Sequence, residues 1–152
     1  MSDCLFCKIA QGKVEATFVY RDDLVSVFMD TQPINPGHLL IIPNRHSTYL
    51  ADLSPEMGMH LFRIAQQMAH AIRQSGLPCE GVNFFLADGE VAMQEILHVH
   101  LHVFPRTKSD GFGLKFGEAY FVKSPRVKLE VAAEKIRKIV EQAAPHRISR
   151  EK

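Results

Sequence analysis

Three histidines, His98, His100 and His102, occupy every second position of the stretch HVHLHVFPR, residues 98–106. The positions between them are apolar, an alternation that is typical of a half-buried strand. Alternate side chains of a strand share one face, which spaces these imidazoles about 6.5–7 Å apart. Such a row of imidazoles could hold a metal ion, carry out catalysis or simply be solvated.

Each interpretation has a chemical basis. A His-x-His pair on a strand can supply two zinc ligands, and all three histidines could serve a metal-dependent hydrolase. Neutral imidazole is a nucleophile at pH 7, and protonated imidazole donates hydrogen bonds to phosphate oxygens. One histidine could then attack a phosphorus atom while its neighbours bind the oxygens. Periodicity alone leaves these alternatives open.

A second group of interest is the C-x2-C pair of Cys4 and Cys7. This spacing suits one half of a tetrahedral zinc site, which needs two further ligands. A redox role is less favoured, because no thioredoxin-like βαβ pattern surrounds the pair. Cys79 stands alone before an apolar stretch and is interpreted as a small buried hydrophobe.

The composition indicates an ordinary globular protein. The chain has 152 residues, 46% of them hydrophobic and 23% charged, which fits one domain that can bury a core. A net charge of +1 argues against nucleic-acid binding through a broad basic surface. The sequence shows no secretory signal and no apolar run of membrane-spanning length, so we expect a cytoplasmic protein without membrane contacts.

The order of the elements predicts how these residues are positioned. Ser54 as N-cap and Pro55 at the first helical position start a helix with one apolar stripe, which Gly76 ends; His60 and His70 lie off this stripe and are expected at the surface. Strands are predicted at 17–20, 24–29, 38–43, 82–88 and along the histidine stretch, and a C-terminal helix at about 126–144, most clearly at 129–143. Without regular βαβ alternation, this order predicts an α+β fold with an antiparallel sheet.

The histidine stretch also matches the His-φ-His-φ-His-φ-φ signature (φ, apolar) of the histidine triad (HIT) superfamily. VFMDTQPINPGHLLIIPNRH at 27–46 resembles the first conserved block of that family, and DGEVAMQEILHVHLHVFPR, which ends at Arg106, resembles the second. The resemblance covers roughly residues 4–117 of one HIT domain spanning 1–152. It implies a HIT-like fold with about five antiparallel strands, one long central helix and a C-terminal helix.

The resemblance assigns catalytic roles. His100 corresponds to the histidine that attacks the α-phosphorus of a nucleotide, forming a nucleotidyl-histidine that water or another acceptor then resolves. His102 is implied to contact the α-phosphate, and Gln94 to bind the phosphate or the bridging region. His38 is implied to lie behind or beside the nucleophile and to orient it.

Substrate-binding residues follow from the same resemblance. Asp30 corresponds to the acidic residue that accepts hydrogen bonds from the ribose hydroxyls; the alternative is that it caps the turn before Pro33. The side chains implied to wall the base pocket, for which plain core packing is the alternative, are Phe6, Ile9 and Phe28. As the first histidine of the triad, His98 is counted among the substrate-binding residues too.

A subset of the family holds a structural zinc, and the corresponding ligands here are Cys4, Cys7, His46 and His98. Two positions depart from the family pattern: Ala87 replaces the usual Asn, and Met93 replaces the Gly before Gln94. Because Met93 is bulky and lacks the backbone freedom of Gly, we expect a phosphate loop of different shape.

The resemblance implies a homodimeric nucleotide hydrolase or nucleotidyl transferase. Dinucleoside polyphosphates are the first candidate substrates, as in the fragile-histidine-triad branch. The first alternative is a purine nucleoside phosphoramidase like the Hint branch. Another alternative is a nucleotide-binding signalling dimer with little turnover.

Overall fold

This computed structural model describes residues 3–143, and residues 18–106 contain a five-stranded antiparallel sheet. Its strands lie in the spatial order β1-β2-β3-β5-β4, so the last strand in the chain is inserted beside β3. The elements are α1 (Leu5–Ala10), β1 (Phe18–Arg21), β2 (Val25–Met29), β3 (Leu39–Pro43), α2 (Pro55–Gln74), β4 (Gly81–Leu86), β5 (Leu101–Arg106) and α3 (Arg126–Ala143). The predicted α+β class is confirmed.

The long helix α2 begins where the sequence predicts. Ser54 caps it by accepting a hydrogen bond from the amide of Met57 at 3.2 Å, and Pro55 occupies the first turn. The helix ends at Gln74, and Gly76 follows with a φ of +80°. Its buried stripe repeats every three or four residues and comprises Leu61, Ile64, Ala65, Met68 and Ile72.

The main core lies between α2 and one face of the sheet. The sheet residues buried there alternate along their strands and comprise Val25, Val27, Leu39, Ile41, Leu101 and Val103; Val99, which precedes β5, packs with them. His60 of α2, predicted at the surface, is partly buried, and its Nε2 donates to Asp22 Oδ2 at 2.8 Å. His70 is exposed, as predicted.

The opposite face of the sheet carries a second apolar cluster together with the short helix α1. Phe6 and Ile9 of α1 pack with Phe28, Leu40 and Ile42 of the sheet. The sequence analysis did not predict α1, because six residues are too few to show helical periodicity. Burial of Phe6 and Ile9 stabilises α1 through tertiary contacts.

The chain divides into two compact units after Phe112. The described part of the second unit contains a stacked pair, Phe116 and Tyr120, with ring centroids 3.9 Å apart. It also contains α3, which starts at Arg126 and matches the predicted C-terminal helix; the predicted residue 144 lies outside the described residues. Along residues 3–143, each helix is too short or too polar to cross a membrane.

Candidate active site and metal centre

Strand register brings the triad histidines onto the face of the sheet that carries α1. His102 pairs with Leu40 of β3 and with Phe85 of β4, and Leu40 in turn pairs with Phe28 of β2. Leu40 and Phe28 belong to the apolar cluster under α1, whereas Leu101 is buried against α2. The alternation seen in the sequence therefore separates a histidine face from the main core.

The triad is not one regular strand, however. Strand β5 starts at Leu101, so His98 and His100 precede it, and the prediction of a strand along the whole stretch is wrong at its beginning. The amide of Val99 donates to Ser47 O at 2.8 Å instead of joining the ladder with β3, whose last partner is Leu101. Contacts with the loop after β3 thus set the backbone of the first two histidines.

His100 is buried, and its ring is held by its own chain. Its Nδ1 lies 2.7 Å from the carbonyl oxygen of His98. Since a carbonyl only accepts, Nδ1 carries the proton and the lone pair lies on Nε2. The ring also packs edge-to-face against Phe6, with centroids 5.2 Å apart. The arrangement fixes both the tautomer and the plane of the imidazole.

His102 and His38 form a hydrogen-bonded pair, with His38 Nε2 and His102 Nδ1 2.9 Å apart. Burial, together with the adjacent His100 and His38, lowers the pKa of His102 to about 4. Burial also lowers the pKa of His38, although the nearby Asp30 carboxylate acts in the opposite direction. Both imidazoles are therefore neutral at pH 7.

The pairing changes the place assigned to His38. The family resemblance implies that His38 lies behind or beside the nucleophile and orients it, whereas the hydrogen bond of its Nε2 is to His102. The reason is register, because His38 immediately precedes β3, which pairs directly with His102 through Leu40.

Asp30 follows β2 and uses its two carboxylate oxygens differently. Oδ1 accepts from the amide of Gln32 at 2.8 Å, which is the turn-capping contact considered as the alternative to ribose binding. Oδ2 lies 3.6 Å from His38 Nε2 and 3.9 Å from His102 Nδ1. One oxygen thus shapes the loop and the other lies beside the histidine pair; ribose binding stays a prediction.

Gln94 is buried and bridges two main-chain segments. Its Oε1 accepts from the amide of Gly89 at 2.8 Å, and its Nε2 donates to Thr48 O at 2.7 Å. These bonds tie the loop after β4 to the loop after β3. Its implied phosphate contact stays a prediction, and in the described structure its side chain positions the loop.

The residues implied to wall a base pocket are packed against one another. Phe6, Ile9 and Phe28 are each at most 6% exposed, and the rings of Phe6 and Phe28 lie 5.7 Å apart. Core packing is therefore what their contacts show, with Phe6 also touching His98 and His100 through its ring.

A second constellation brings together all four predicted metal ligands. The donor atoms of Cys4, Cys7, His46 and His98 lie within 4.8 Å of one another. His98 Nδ1 is 3.4 Å from Cys4 Sγ, and His46 Nδ1 is 3.3 Å from Cys7 Sγ. α1 positions Cys7, and the residue preceding that helix is Cys4.

The donor chemistry of this cluster fits zinc. His98 Nε2 donates to Pro43 O at 2.9 Å, which leaves the lone pair of His98 on the Nδ1 that faces the thiols. A hydrogen bond from the ring nitrogen remote from the metal is the usual support of a zinc-ligating histidine. Two thiolates and two imidazoles also form a standard tetrahedral zinc set.

A different group, Asp30, His38 and His102, also has three potential ligands within 4.8 Å. Its hydrogen bonds disfavour a metal, because His38 Nδ1 accepts from the amide of Ile34 at 3.1 Å and so places the proton on Nε2. If a metal bound His38 Nε2, the proton of the neutral ring would have to lie on Nδ1. There it would face the N–H of Ile34, and the hydrogen bond between them would be lost.

Residues 11–109 match the family model described as the HIT domain. The chain belongs to the HIT family. HIT proteins form a superfamily of nucleotide-binding hydrolases and transferases.

The relatives and solved structures agree with this assignment. An uncharacterized HIT-like protein of Borreliella burgdorferi is 38% identical over 77% of this chain and 85% of its own length. The adenylylsulfatase HINT3 of Arabidopsis thaliana is 32% identical over 72% of this chain and 55% of its own.

Two crystal structures of HIT proteins show the same fold. A zinc-bound histidine triad family protein from Mycobacterium smegmatis has 31% identity and a TM-score of 0.70, covering 91% of this chain and 98% of its own. A histidine triad nucleotide-binding protein from Candida albicans has 25% identity and a TM-score of 0.82, covering 93% and 100%.

This HIT chain keeps an unusual backbone at the departure from the family pattern. Met93 has φ 71° and ψ 31°, a left-handed conformation that glycine adopts without strain. The amide of Met93 donates to Glu90 O, and Gln94 follows directly. Met93 thus forms a turn in a conformation that is strained for an L-residue, with its side chain exposed, and the expected difference in the shape of the phosphate loop stays a prediction.

Sequence reasoning missed the main-chain groups that hold the HIT histidines. The rings contact the carbonyls of Pro43 and His98 and the amide of Ile34, and the carbonyl of Ser47 accepts from the amide of Val99, between His98 and His100. Every residue carries such groups, so residue type gives no signal of which ones are used.

Proposed function

We propose that this protein is a nucleotide hydrolase or nucleotidyl transferase in which His100 is the nucleophile. His100 Nε2 attacks the α-phosphorus, a P–N bond forms, and the P–O bond to the leaving group breaks with its electron pair on the leaving oxygen. Water or another acceptor then forms a P–O bond, loses a proton to solvent, and displaces His100.

The observation that carries the proposal is the 2.7 Å contact between His100 Nδ1 and His98 O. It leaves the lone pair on Nε2, as a nucleophile requires. It also stabilises the positive charge that develops on the ring as the P–N bond forms, since Nδ1–H already faces a carbonyl dipole.

His102 is proposed to bind the α-phosphate. Because its Nδ1 faces His38 Nε2, its own Nε2 is available for a phosphate oxygen. With a pKa of about 4 it is neutral at pH 7, so it would contribute a hydrogen bond rather than a full charge.

The four-residue cluster is proposed to hold a structural zinc. A zinc ion held by these residues would cross-link the segment around α1, the loop after β3 and the start of the triad, and its role would be structural. Cys4, Cys7 and His46 orient His98, whose carbonyl in turn holds His100.

Dinucleoside polyphosphates are the proposed substrates, because a phosphoanhydride offers a leaving group that departs readily from the α-phosphorus. Adenylyl sulfate has a comparable leaving group, and the name of the plant relative directs attention to it. An adenosine phosphoramidate tests the alternative of Hint-like activity, since an amine leaves only after protonation.

The decisive experiment compares turnover of these three substrates by wild type, His100→Ala and His100→Asn. The matched control is His70→Asn, which makes the same change at an exposed position of α2. We expect the His100 variants to lose at least about 10³-fold in kcat while their thermal unfolding stays close to wild type. Unchanged turnover in the His100 variants would refute the mechanism.

The intermediate can be trapped directly. A substrate radiolabelled at the α-phosphorus, quenched in base, should leave label on wild type and the His70→Asn control and none on His100→Ala. Tight nucleotide binding without turnover or label would instead support the signalling alternative.

Assembly and location remain part of the proposal. On the basis of the family resemblance, we propose that each chain is a single HIT domain and that two chains form a homodimer. We also propose that the protein is cytoplasmic. Sedimentation equilibrium of the full chain tests the dimer, for which a molecular mass of one chain would be the contradicting result.

A further inference from the structure

We propose that His38 is a positioning residue that fixes the tautomer of His102, so that His102 presents an Nε2–H donor to the substrate. The inference rests on the proposed function for the identity of that substrate, a nucleotide α-phosphate. The tautomer itself can be measured in the free protein.

The tautomer of His38 is set by a main-chain amide, a group that can only donate. The main-chain amide of Ile34 can only donate, and it lies 3.1 Å from His38 Nδ1. His38 Nδ1 must therefore carry a lone pair, and the single proton of the neutral ring lies on Nε2. The tautomer of His38 is thus set by the loop that precedes β3.

The tautomer of His38 in turn sets that of His102. His38 Nε2–H points to His102 Nδ1 across 2.9 Å, so His102 Nδ1 must accept. The proton of neutral His102 is then on Nε2. The opposite tautomer would place two N–H groups against each other over 2.9 Å, without a hydrogen bond and at a site where burial makes an unpaired donor costly.

Asp30 supports this arrangement from one side. Its Oδ2 lies 3.6 Å from His38 Nε2, closer than to His102 Nδ1 at 3.9 Å, and it favours a proton on the His38 nitrogen. The His100 ring also packs against His102, with ring centroids 5.0 Å apart. These are the titratable groups that surround His102, and burial keeps the His102 ring neutral between them.

The consequence for catalysis is a donor with a fixed direction. A His102 ring free to choose would spend part of its time with the proton on Nδ1 and a lone pair toward the phosphate, which repels oxygen. Preorganised donors stabilise charge that develops in a transition state because they need no reorientation. His38 would thus act on turnover without touching the substrate.

The first test is nitrogen NMR of the substrate-free protein with 15N-labelled histidine at pH 7. We expect His102 to show a pyridine-type Nδ1 and a pyrrole-type Nε2, and His100 to show the reverse pattern. A pyrrole-type Nδ1 or a mixture at His102 in wild type would overturn the inference.

Two substitutions at His38 separate its donor from its bulk. His38→Leu removes the donor, and we expect the His102 signals to shift toward a mixture of tautomers. His38→Gln offers an amide N–H in a comparable place, and we expect it to restore the wild-type pattern at least in part. An unchanged His102 tautomer in folded His38→Leu would also overturn the inference.

Kinetics supply the functional readout. For His38→Leu we expect kcat to fall about 10- to 100-fold with a smaller change in KM, and we expect His38→Gln to regain much of that loss. The matched control, His70→Leu on the exposed surface of α2, should leave both parameters unchanged. Equal losses in the Leu and Gln variants, despite restoration of the tautomer, would contradict the role in turnover.

The outcomes distinguish this inference from the proposed function. If His100→Ala retains turnover while the NMR pattern depends on His38 as expected, the nucleophile assignment fails and the tautomer assignment stands. If His100→Ala is inactive but His102 shows no dependence on His38, the reverse holds.

Discussion

His98 joins the two sites of this protein, because its carbonyl oxygen accepts the Nδ1–H of His100 at 2.7 Å while its own Nδ1 lies 3.4 Å from Cys4 Sγ. The ring of His98 is therefore part of the cysteine–histidine cluster, and its backbone carbonyl contacts the proposed nucleophile His100. Disturbance of the cluster should reach the nucleophile by this route.

The first prediction concerns metal content. Protein purified without chelator should contain about one zinc per chain, as one closed tetrahedral site requires. Cys7→Ser should lose the metal and lower Tm by about 10 °C, because metal binding is coupled to the folding of such sites. Elemental analysis and thermal unfolding measure the two effects.

Cys79→Ser is the matched control for the zinc prediction. Cys79 lies outside the cluster and contacts Gly81 O, so this variant should retain zinc. Wild-type protein free of zinc, or a Cys7→Ser variant that keeps it, would contradict the assignment.

The second prediction uses the left-handed backbone of Met93. Since an L-residue with a φ of 71° is strained, Met93→Gly should raise the free energy of unfolding by about 0.5–1 kcal/mol. Met93→Ala, which removes the side chain but keeps the strain, should not stabilise the protein. Chemical denaturation of both variants measures the difference, and equal stabilities would show that the side chain rather than the backbone matters.

The third prediction compares two glycines. Gly37 has a φ of +99°, and a Cβ there would lie 3.0 Å from Leu77 Cδ1 and 3.3 Å from Pro105 Cγ. Gly37→Ala should therefore lower the free energy of unfolding by about 2 kcal/mol and displace the adjacent His38. The Pro-Gly-His stretch thus needs glycine for its backbone conformation and for space.

Gly58 provides the contrast, because it lies inside α2 and a Cβ there meets nothing within 4 Å. Gly58→Ala should stabilise the protein by about 0.5–1 kcal/mol through the higher helix propensity of alanine. Urea unfolding of the two variants should give changes of opposite sign, and a stabilising Gly37→Ala would contradict the structural account.

The fourth prediction is a dependence of stability on pH. Burial of the Asp22 carboxyl acts to raise its pKa, but hydrogen bonds from the amides of Val25 and Leu24 and from His60 outweigh it and hold the pKa at about 2. Because this value is below the ordinary 3.8, the carboxylate stabilises the fold above pH 4, and the stabilisation is lost as the pH falls from about 4 to 2.

Asp22→Asn removes this contribution, so we expect a loss of about 2 kcal/mol at pH 7 and a smaller loss near pH 2. Asp23→Asn is the matched control, since Asp23 is the exposed neighbour and its replacement should change little at either pH. The free energy of unfolding, measured across pH 2–7, tests both; a constant difference between wild type and Asp22→Asn would contradict the prediction.

Much of the fold was readable from local patterns. Ser54 and Pro55 marked the start of α2. The Ser54 side chain accepts a hydrogen bond from an otherwise free amide of the first helical turn, and Pro55 has no amide N–H that would need a partner. Strands β2 and β3 were predicted to within one residue, since continuous apolar runs between turn formers carry their own boundaries. Helix α1 was missed because its stability comes from burial against the sheet.

The sequence by itself determined which residue types could do chemistry: three alternating imidazoles, a cysteine pair, and the family blocks that surround them. Only the tertiary structure decided how these groups are divided. Sheet register places His38 beside His102. The carbonyl of Pro43 orients the ring of His98, and the carbonyl of His98 orients the ring of His100. The physical reason is that the hydrogen bonds that fix these tautomers depend on how the chain folds. The His38–His102 and His98–Pro43 contacts join residues far apart in the sequence, and the main-chain groups that bind the rings are the same in every residue.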